Sequence, residues 1–221
     1  YIQQMYWLAL GTGVAVLVCI IDYRHFERYG FIIYGVGVSL LILVLTFGEG
    51  IRGSRRWIKL GSFTLQPSEL MKIGLIIALA KYLHHDPKSD GRTLKDLLPP
   101  AMILALPMVL IIKQPDLGTS LMCAFIFGSI MVLTNLKTRS LVTLGLGFVV
   151  SAPLAWQFLL HDYQKARLTT FMDLWASDNP DILGDAWHAY QSLVSIGSGG
   201  ISGKGFLHGT QNQFGFMPDQ Y

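Results

Sequence analysis

Residues 5–21 run for 17 positions without a charge, and residues 31–47 do so again. A hydrocarbon core about 30 Å thick is crossed by roughly 17–25 apolar residues of helix. Inside that core no water satisfies backbone N–H and C=O groups, so a single segment must cross as an α-helix. Four further apolar runs occupy residues 65–83, 97–112, 117–136 and 141–160. The third contains Glu69 and Lys72, and the fourth contains Pro99, Pro100 and Pro107. The expected fold is therefore an all-α polytopic membrane protein with about six spans. Composition agrees: only 14% of residues are charged, against about 25% in an ordinary soluble domain. The first run has neither a basic start nor a cleavage site, so it does not read as a signal peptide. Cys19 and Cys123 both sit inside apolar runs and read as buried thiols. A net charge of +3 is too small to imply nucleic acid.

After residue 160 the character changes. Residues 161–221 contain no run long enough to cross, and they hold eight glycines and nine charges. They read as a large extramembrane segment with a short interfacial helix at 181–196, where Trp187, Tyr190 and Leu193 fall near one face. Lys and Arg in short loops favour the cytoplasm. Loops 22–30, 84–96 and 137–140, with Lys81 at a border, carry eight such residues; loops 48–64 and 113–116 carry five. The first set is expected to face the cytoplasm, which puts 48–64, 113–116 and 161–221 outside. Four of the five outer cations are Arg52, Arg55, Arg56 and Lys59. A cluster that resists the bias suggests an anionic ligand.

Four segments are chemically notable. Arg55-Arg56-Trp57-Ile58-Lys59 joins cations to an aromatic; a guanidinium presents a planar fork suited to phosphate oxygens, though a headgroup-facing loop explains the cluster as well. Glu69 and Lys72 are three apart on the helix expected to start at Pro67, so they share a face. Charge in lipid is costly, so that face should line a polar cavity or form a structural ion pair. Gln114-Pro-Asp-Leu-Gly-Thr-Ser connects two spans, with Asp116 placed to cap the next helix or to line a cavity mouth. Residues 196–205 hold five glycines, a backbone suited to approaching an anion, but not a P-loop. The histidines have no metal-ligand spacing, so no metal site is assigned; Glu69 and Asp116 are the only weak candidates.

In series these pieces resemble the SEDS family, the shape, elongation, division and sporulation proteins. The residues that carry the resemblance are Arg56-Trp57-Ile58; Gln66-Pro67-Ser68-Glu69 with Lys72; Gln114 to Ser120; Gln191-Ser192; Ile196 to Gly200 with Gly203-Lys204-Gly205; and Leu207-His208-Gly209-Thr210-Gln211. His161-Asp162-Tyr163-Gln164 leans toward the rod-shape branch rather than the division branch. The resemblance implies a ten-helix bacterial inner-membrane, multi-pass glycosyltransferase that polymerises lipid II into peptidoglycan strands during elongation. It implies a class B penicillin-binding protein and other elongation-complex membrane proteins as partners, lipid as surroundings, and a divalent cation, magnesium or manganese. Residues 1–160 would be the six-span bundle and 161–221 the outer loop before a missing eighth helix. The family's catalytic aspartate is expected just beyond Tyr221; Asp219 does not match it. The resemblance, with the chemistry above, gives Arg56, Trp57, Glu69, Lys72, Asp116, Arg167, Gln191, Ser192 and Ser198 as substrate-binding or cavity residues, with Arg56 first for the leaving group. A lipid II flippase and a non-catalytic scaffold of the elongation complex are the rival functions.

Overall fold

The computed structural model describes residues 2–51, 54–60, 63–88, 90–158, 160, 162–176, 184, 186–205 and 208–216. Helices lie over the six apolar runs of the sequence: α1 Ile2–Ile20, α2 Tyr23–Phe47, α3 Pro67–His85, α4 Leu98–Lys113, α5 Leu117–Leu133 and α6 Thr138–Phe158. The segments Tyr23–Phe47, Lys95–Lys113 and Thr138–Phe158 are long and apolar enough to cross a membrane, and the shorter Gln4–Ile20 and Leu117–Leu133 are also apolar. Their outer faces carry exposed Ile32, Val36, Leu106, Phe125, Val142 and Leu146, which lipid covers in a polytopic bundle.

α2 starts eight residues before its apolar run, because Asp22 caps it: the carboxylate accepts the backbone N–H of Arg24 at 2.9 Å. Residues 23–30, expected in a loop, are thus helical. α3 begins at Pro67, where a missing N–H breaks no helical bond. α4 follows a 3-10 turn at Lys95–Leu97 and takes Pro99 and Pro100 in its first turn for the same reason.

The chain divides into two compact units, one of Met5–Leu146 and one of Tyr1–Gln4 with Gly147–Tyr221. In the first, α2 packs on α3 and both contact α4. The core gathers Val38 and Leu41 of α2, Met71, Leu75 and Leu79 of α3, Ile111 of α4, and Cys123 and Met131 of α5. Two glycines set the closeness of α2 and α3. A Cβ on Gly37 would lie 2.8 Å from the Met71 sulfur, and one on Gly74 would lie 3.4 Å from the Tyr34 Cα. Small residues at such crossings let helices approach where the hydrophobic effect between them is weak.

Pro107 lies inside α4 and cannot donate to the carbonyl of Ile103, four residues back. The Tyr34 hydroxyl of α2 donates to that carbonyl at 2.7 Å. A side chain of the neighbouring helix thus satisfies the group that the proline releases, as apolar surroundings require. Tyr34→Phe leaves the carbonyl unpaired. The expected cost is about 1 kcal/mol, read as a fall of a few degrees in the Tm of the detergent-solubilised protein; an unchanged Tm would show that the carbonyl is satisfied in another way.

The loop after α3 is more ordered than an expected solvent loop. Arg92, counted in the sequence only as a cation, is 2% exposed. Its guanidinium donates to the Asp86 carboxylate at 3.0 Å and to the Asp86 carbonyl. Its backbone pairs with the α5–α6 connection, donating to the Asn135 carbonyl at 3.0 Å and accepting from the Lys137 N–H at 3.1 Å.

Residues 48–64, expected as an irregular loop, contain a three-stranded antiparallel sheet of β1 Glu49–Ile51, β2 Ser54–Leu60 and β3 Phe63–Leu65, in the order β1-β2-β3. Trp57 pairs with Glu49 on one side of β2, and Ile58 with Leu65 on the other.

In the second unit, α7 Asp162–Ala176 was not anticipated. It has no apolar run to announce it, but fifteen residues without Gly or Pro, opened by an acidic residue, favour a helix. α8 Trp187–Gly199 overlaps the expected 181–196 helix; residues 181–183 and 185 lie outside the described residues. α8 also corrects the expected glycine loop, since residues 196–199 are helical and the turn begins at Gly200, whose φ of 55° ends the helix. A short α9, Thr210–Gln213, follows, and Trp187 meets Phe216 edge-on at 5.9 Å.

Candidate functional site at the sheet-bearing end of the bundle

At the end of the bundle where α2 stops and α3 starts, β2 meets the α4–α5 connection. Arg56 makes the join. Its Nε donates to the Gln114 carbonyl at 3.0 Å, one Nη donates to the Pro115 carbonyl, and the other stands 3.8 Å from Asp116 Oδ1. Gln114 is the C-cap of α4, and a helix leaves the C=O groups at its end without helical partners. Cations are favoured at such an end.

Asp116 is 8% exposed and is the N-cap of α5. Its carboxylate accepts the Thr119 N–H at 3.2 Å, the Thr119 hydroxyl at 2.9 Å and the Gln66 amide at 3.4 Å. Ser120 donates its hydroxyl to the Asp116 carbonyl at 2.8 Å. Gln114 is buried at 2% exposure and donates to the Leu41 carbonyl of α2 at 3.4 Å. Gln66 and Gln114 each precede a proline at this end, and each ties one element to another. Their role was not deduced from the sequence; the repeated Gln-Pro pair beside helix ends was its only visible sign.

Glu69 and Lys72 form the ion pair their spacing allows, at 2.9 Å, with the Glu69 side chain 56% exposed and that of Lys72 21%. Ser68, between Gln66 and Glu69, is buried, and its hydroxyl has no hydrogen-bond partner among the described residues. Trp57 is half-buried on β2. Arg56, Trp57, Glu69, Lys72 and Asp116 thus belong to one unit of the chain. Arg167, Gln191, Ser192 and Ser198 belong to the other. There, Arg167 is exposed on α7 and Gln191 is 7% exposed on α8. The Ser192 hydroxyl donates to the His188 carbonyl at 2.9 Å, and that of Ser198 to the Ser195 carbonyl at 3.2 Å.

A divalent cation does not fit these residues. The Asp116 oxygens are engaged by Thr119, Gln66 and Arg56, while Glu69 is held by Lys72. Among the described residues no group of three or more His, Cys, Asp or Glu is placed to hold a metal.

An apolar helical bundle whose sheet-bearing end holds the linked side chains of Arg56, Gln66, Gln114 and Asp116 defines a polytopic membrane protein with a polar site at its border. The chain belongs to the FtsW, RodA and SpoVE family, described as "Cell cycle protein", whose family model matches residues 1–221. It is 35% identical over 217 residues to the peptidoglycan glycosyltransferase MrdB of Escherichia coli (strain K12), covering 97% of this chain and 56% of that protein. The MrdB of Helicobacter pylori (strain J99 / ATCC 700824) is 36% identical, over 98% of this chain and 55% of that protein. The chain thus spans about half the length of the curated relatives it matches. A chain of a solved peptidoglycan synthase complex superposes with a TM-score of 0.71 at 33% identity, covering 90% of this chain and 57% of that one. The rod shape determining protein RodA of Thermus thermophilus gives a TM-score of 0.56 at 33% identity, over 66% and 48% of the two chains.

Proposed function

We propose that the protein of which these residues form part is a peptidoglycan glycosyltransferase of the bacterial inner membrane, polymerising lipid II during cell elongation beside a class B penicillin-binding protein. The observation that carries this is the 35% identity, over 97% of the chain, to a protein named for that activity. The synthase complex with a similar chain, solved for the coordination of polymerization and crosslinking, supports a cross-linking partner.

In the proposed reaction a sugar hydroxyl oxygen attacks the anomeric carbon of a second sugar, and the bond from that carbon to the lipid pyrophosphate breaks. A carboxylate takes the hydroxyl proton, and cations offset the charge that grows on the pyrophosphate. By resemblance the proton acceptor is the aspartate expected beyond Tyr221. The contacts of Arg56 and Lys72 support a division of the other roles that differs from the sequence expectation. Most of the Arg56 fork is committed to Gln114, Pro115 and Asp116, so Arg56 is a positioning residue that holds β2 on the α4–α5 corner. Lys72 has three donors and gives one to Glu69, which leaves it the better cation for the leaving group.

The test is labelled lipid II with the purified intact protein and its penicillin-binding partner. Glycan strands are expected. Movement of lipid II across proteoliposomes without polymer would favour the flippase, and neither activity would favour the scaffold.

A further inference from the structure

At the other ends of α2 and α3 lies a cleft of ≈ 430 Å³, unrelated to the site above. Tyr23, Arg24, Glu27 and Arg28 of the first turns of α2 line it, with Lys81, His84 and His85 of the last turn of α3 opposite. Three formal positive charges face one negative charge, with the histidines neutral. Glu27 stands 3.6 Å from the His84 imidazole, which pairs with it only when protonated. Lys81 donates to the Arg28 carbonyl at 2.7 Å, which ties the two walls together. The guanidinium groups of Arg24 and Arg28 have no carboxylate partner among the described residues. That of Arg28 lies 5.8 Å from the Tyr29 ring centroid, and the Lys81 ammonium lies 5.2 Å from that of Phe31.

Guanidinium forks donate in pairs to phosphate oxygens. Aromatic rings beside cations mark the depth of lipid headgroups, and basic clefts between membrane helices suit anionic headgroups. The cations could instead serve only as scattered topology signals. Gathering them around a concave space, with two forks that meet no carboxylate among the described residues, favours a bound ligand. We propose that this cleft binds a phosphate group, supplied by the headgroup of an anionic phospholipid seated between α2 and α3.

The intact protein in neutral detergent is titrated with phosphatidylglycerol, with phosphatidylcholine and with inorganic phosphate, and bound adducts are counted by native mass spectrometry. Arg24 and Arg28 are exposed, and Lys81 uses only the Arg28 backbone, so the double variant Arg24→Gln, Arg28→Gln should keep the helix pair. A control, Lys95→Gln with Arg139→Gln, removes two exposed cations from the Lys95–Leu97 turn and from the start of α6. The wild type is expected to retain phosphatidylglycerol over phosphatidylcholine. The cleft variant should bind it about thirtyfold more weakly, from the usual contribution of two cations beside an anionic surface, and the control should bind nearly as the wild type does. Phosphate binding that the cleft variant loses, without a preference between the lipids, would support the phosphate site and make its source soluble. Three results would overturn it: no binding of either anion by the wild type, equal binding by the cleft variant, or an equal loss in the control.

Discussion

Arg56→Lys in the intact protein is expected to lower glycan-strand formation from lipid II by up to about a hundredfold, and to lower the Tm by several degrees. The wild-type fork reaches two carbonyls and approaches one carboxylate from a single planar group. An ammonium keeps the charge but cannot span three acceptors along a fixed plane. Hydrogen bonds to charged groups contribute about 1.5–3 kcal/mol each, and losing one of them in the transition state alone would slow the reaction about ten- to a hundredfold. The two readouts separate the roles. A group that only clamps the leaving pyrophosphate would lose activity with the Tm unchanged. A group that holds β2 on the α4–α5 corner lowers both together, and Arg56→Ala should lower the Tm further. Normal polymer yield with an unchanged Tm in both variants would remove Arg56 from the site.

The six helices were legible because lipid leaves the backbone few choices, and a run such as residues 31–47 needs no further signal. Their ends were less legible. The eight extra residues of α2 depend on the Asp22 cap, a local bond that hydropathy does not see. The sheet was missed for a related reason. Its hairpin signal, two short strand-like runs with Gly61-Ser62 between them in the sequence, overlaps the cation cluster of residues 55–59. α7 carries no apolar stripe strong enough to register, so only the absence of breakers marks it.

The candidate site was legible residue by residue, but the connections within it were not. Glu69 and Lys72 meet because helical spacing dictates it. Arg56 and Asp116 are sixty residues apart, and nothing local pairs them. Their meeting depends on α2, α3 and α4 packing so that β2 lies over the end of α4. The burial of Arg92 is equally non-local, since it rests on the pairing of its backbone with residues 135–137.

Asp116→Asn separates two functions that the same carboxylate performs. Asparagine is as good an N-cap as aspartate, so its amide oxygen can still accept the Thr119 N–H that begins α5. Helix stability should therefore hold within a few tenths of a kcal/mol. The charge is lost, and with it the carboxylate partner of Arg56. The amide NH2 must also face the Gln66 and Thr119 donors that the second oxygen accepts, which forces those side chains to turn. The fork then loses the group that aligns it, and polymer yield is expected to fall about a hundredfold, the range of one charged hydrogen bond at a reacting site. Asp116→Ala removes the cap as well and should cost about 1 kcal/mol more in stability. Yield and Tm are measured on all three proteins in one detergent, with the penicillin-binding partner present. If Asn keeps full activity and only Ala loses it, capping explains Asp116 entirely. Activity lost in Asn at an unchanged Tm assigns the charge itself to the reacting site, whereas activity and Tm lowered together, as in Arg56→Lys, assign the Arg56–Asp116 pair to holding β2 on the α4–α5 corner.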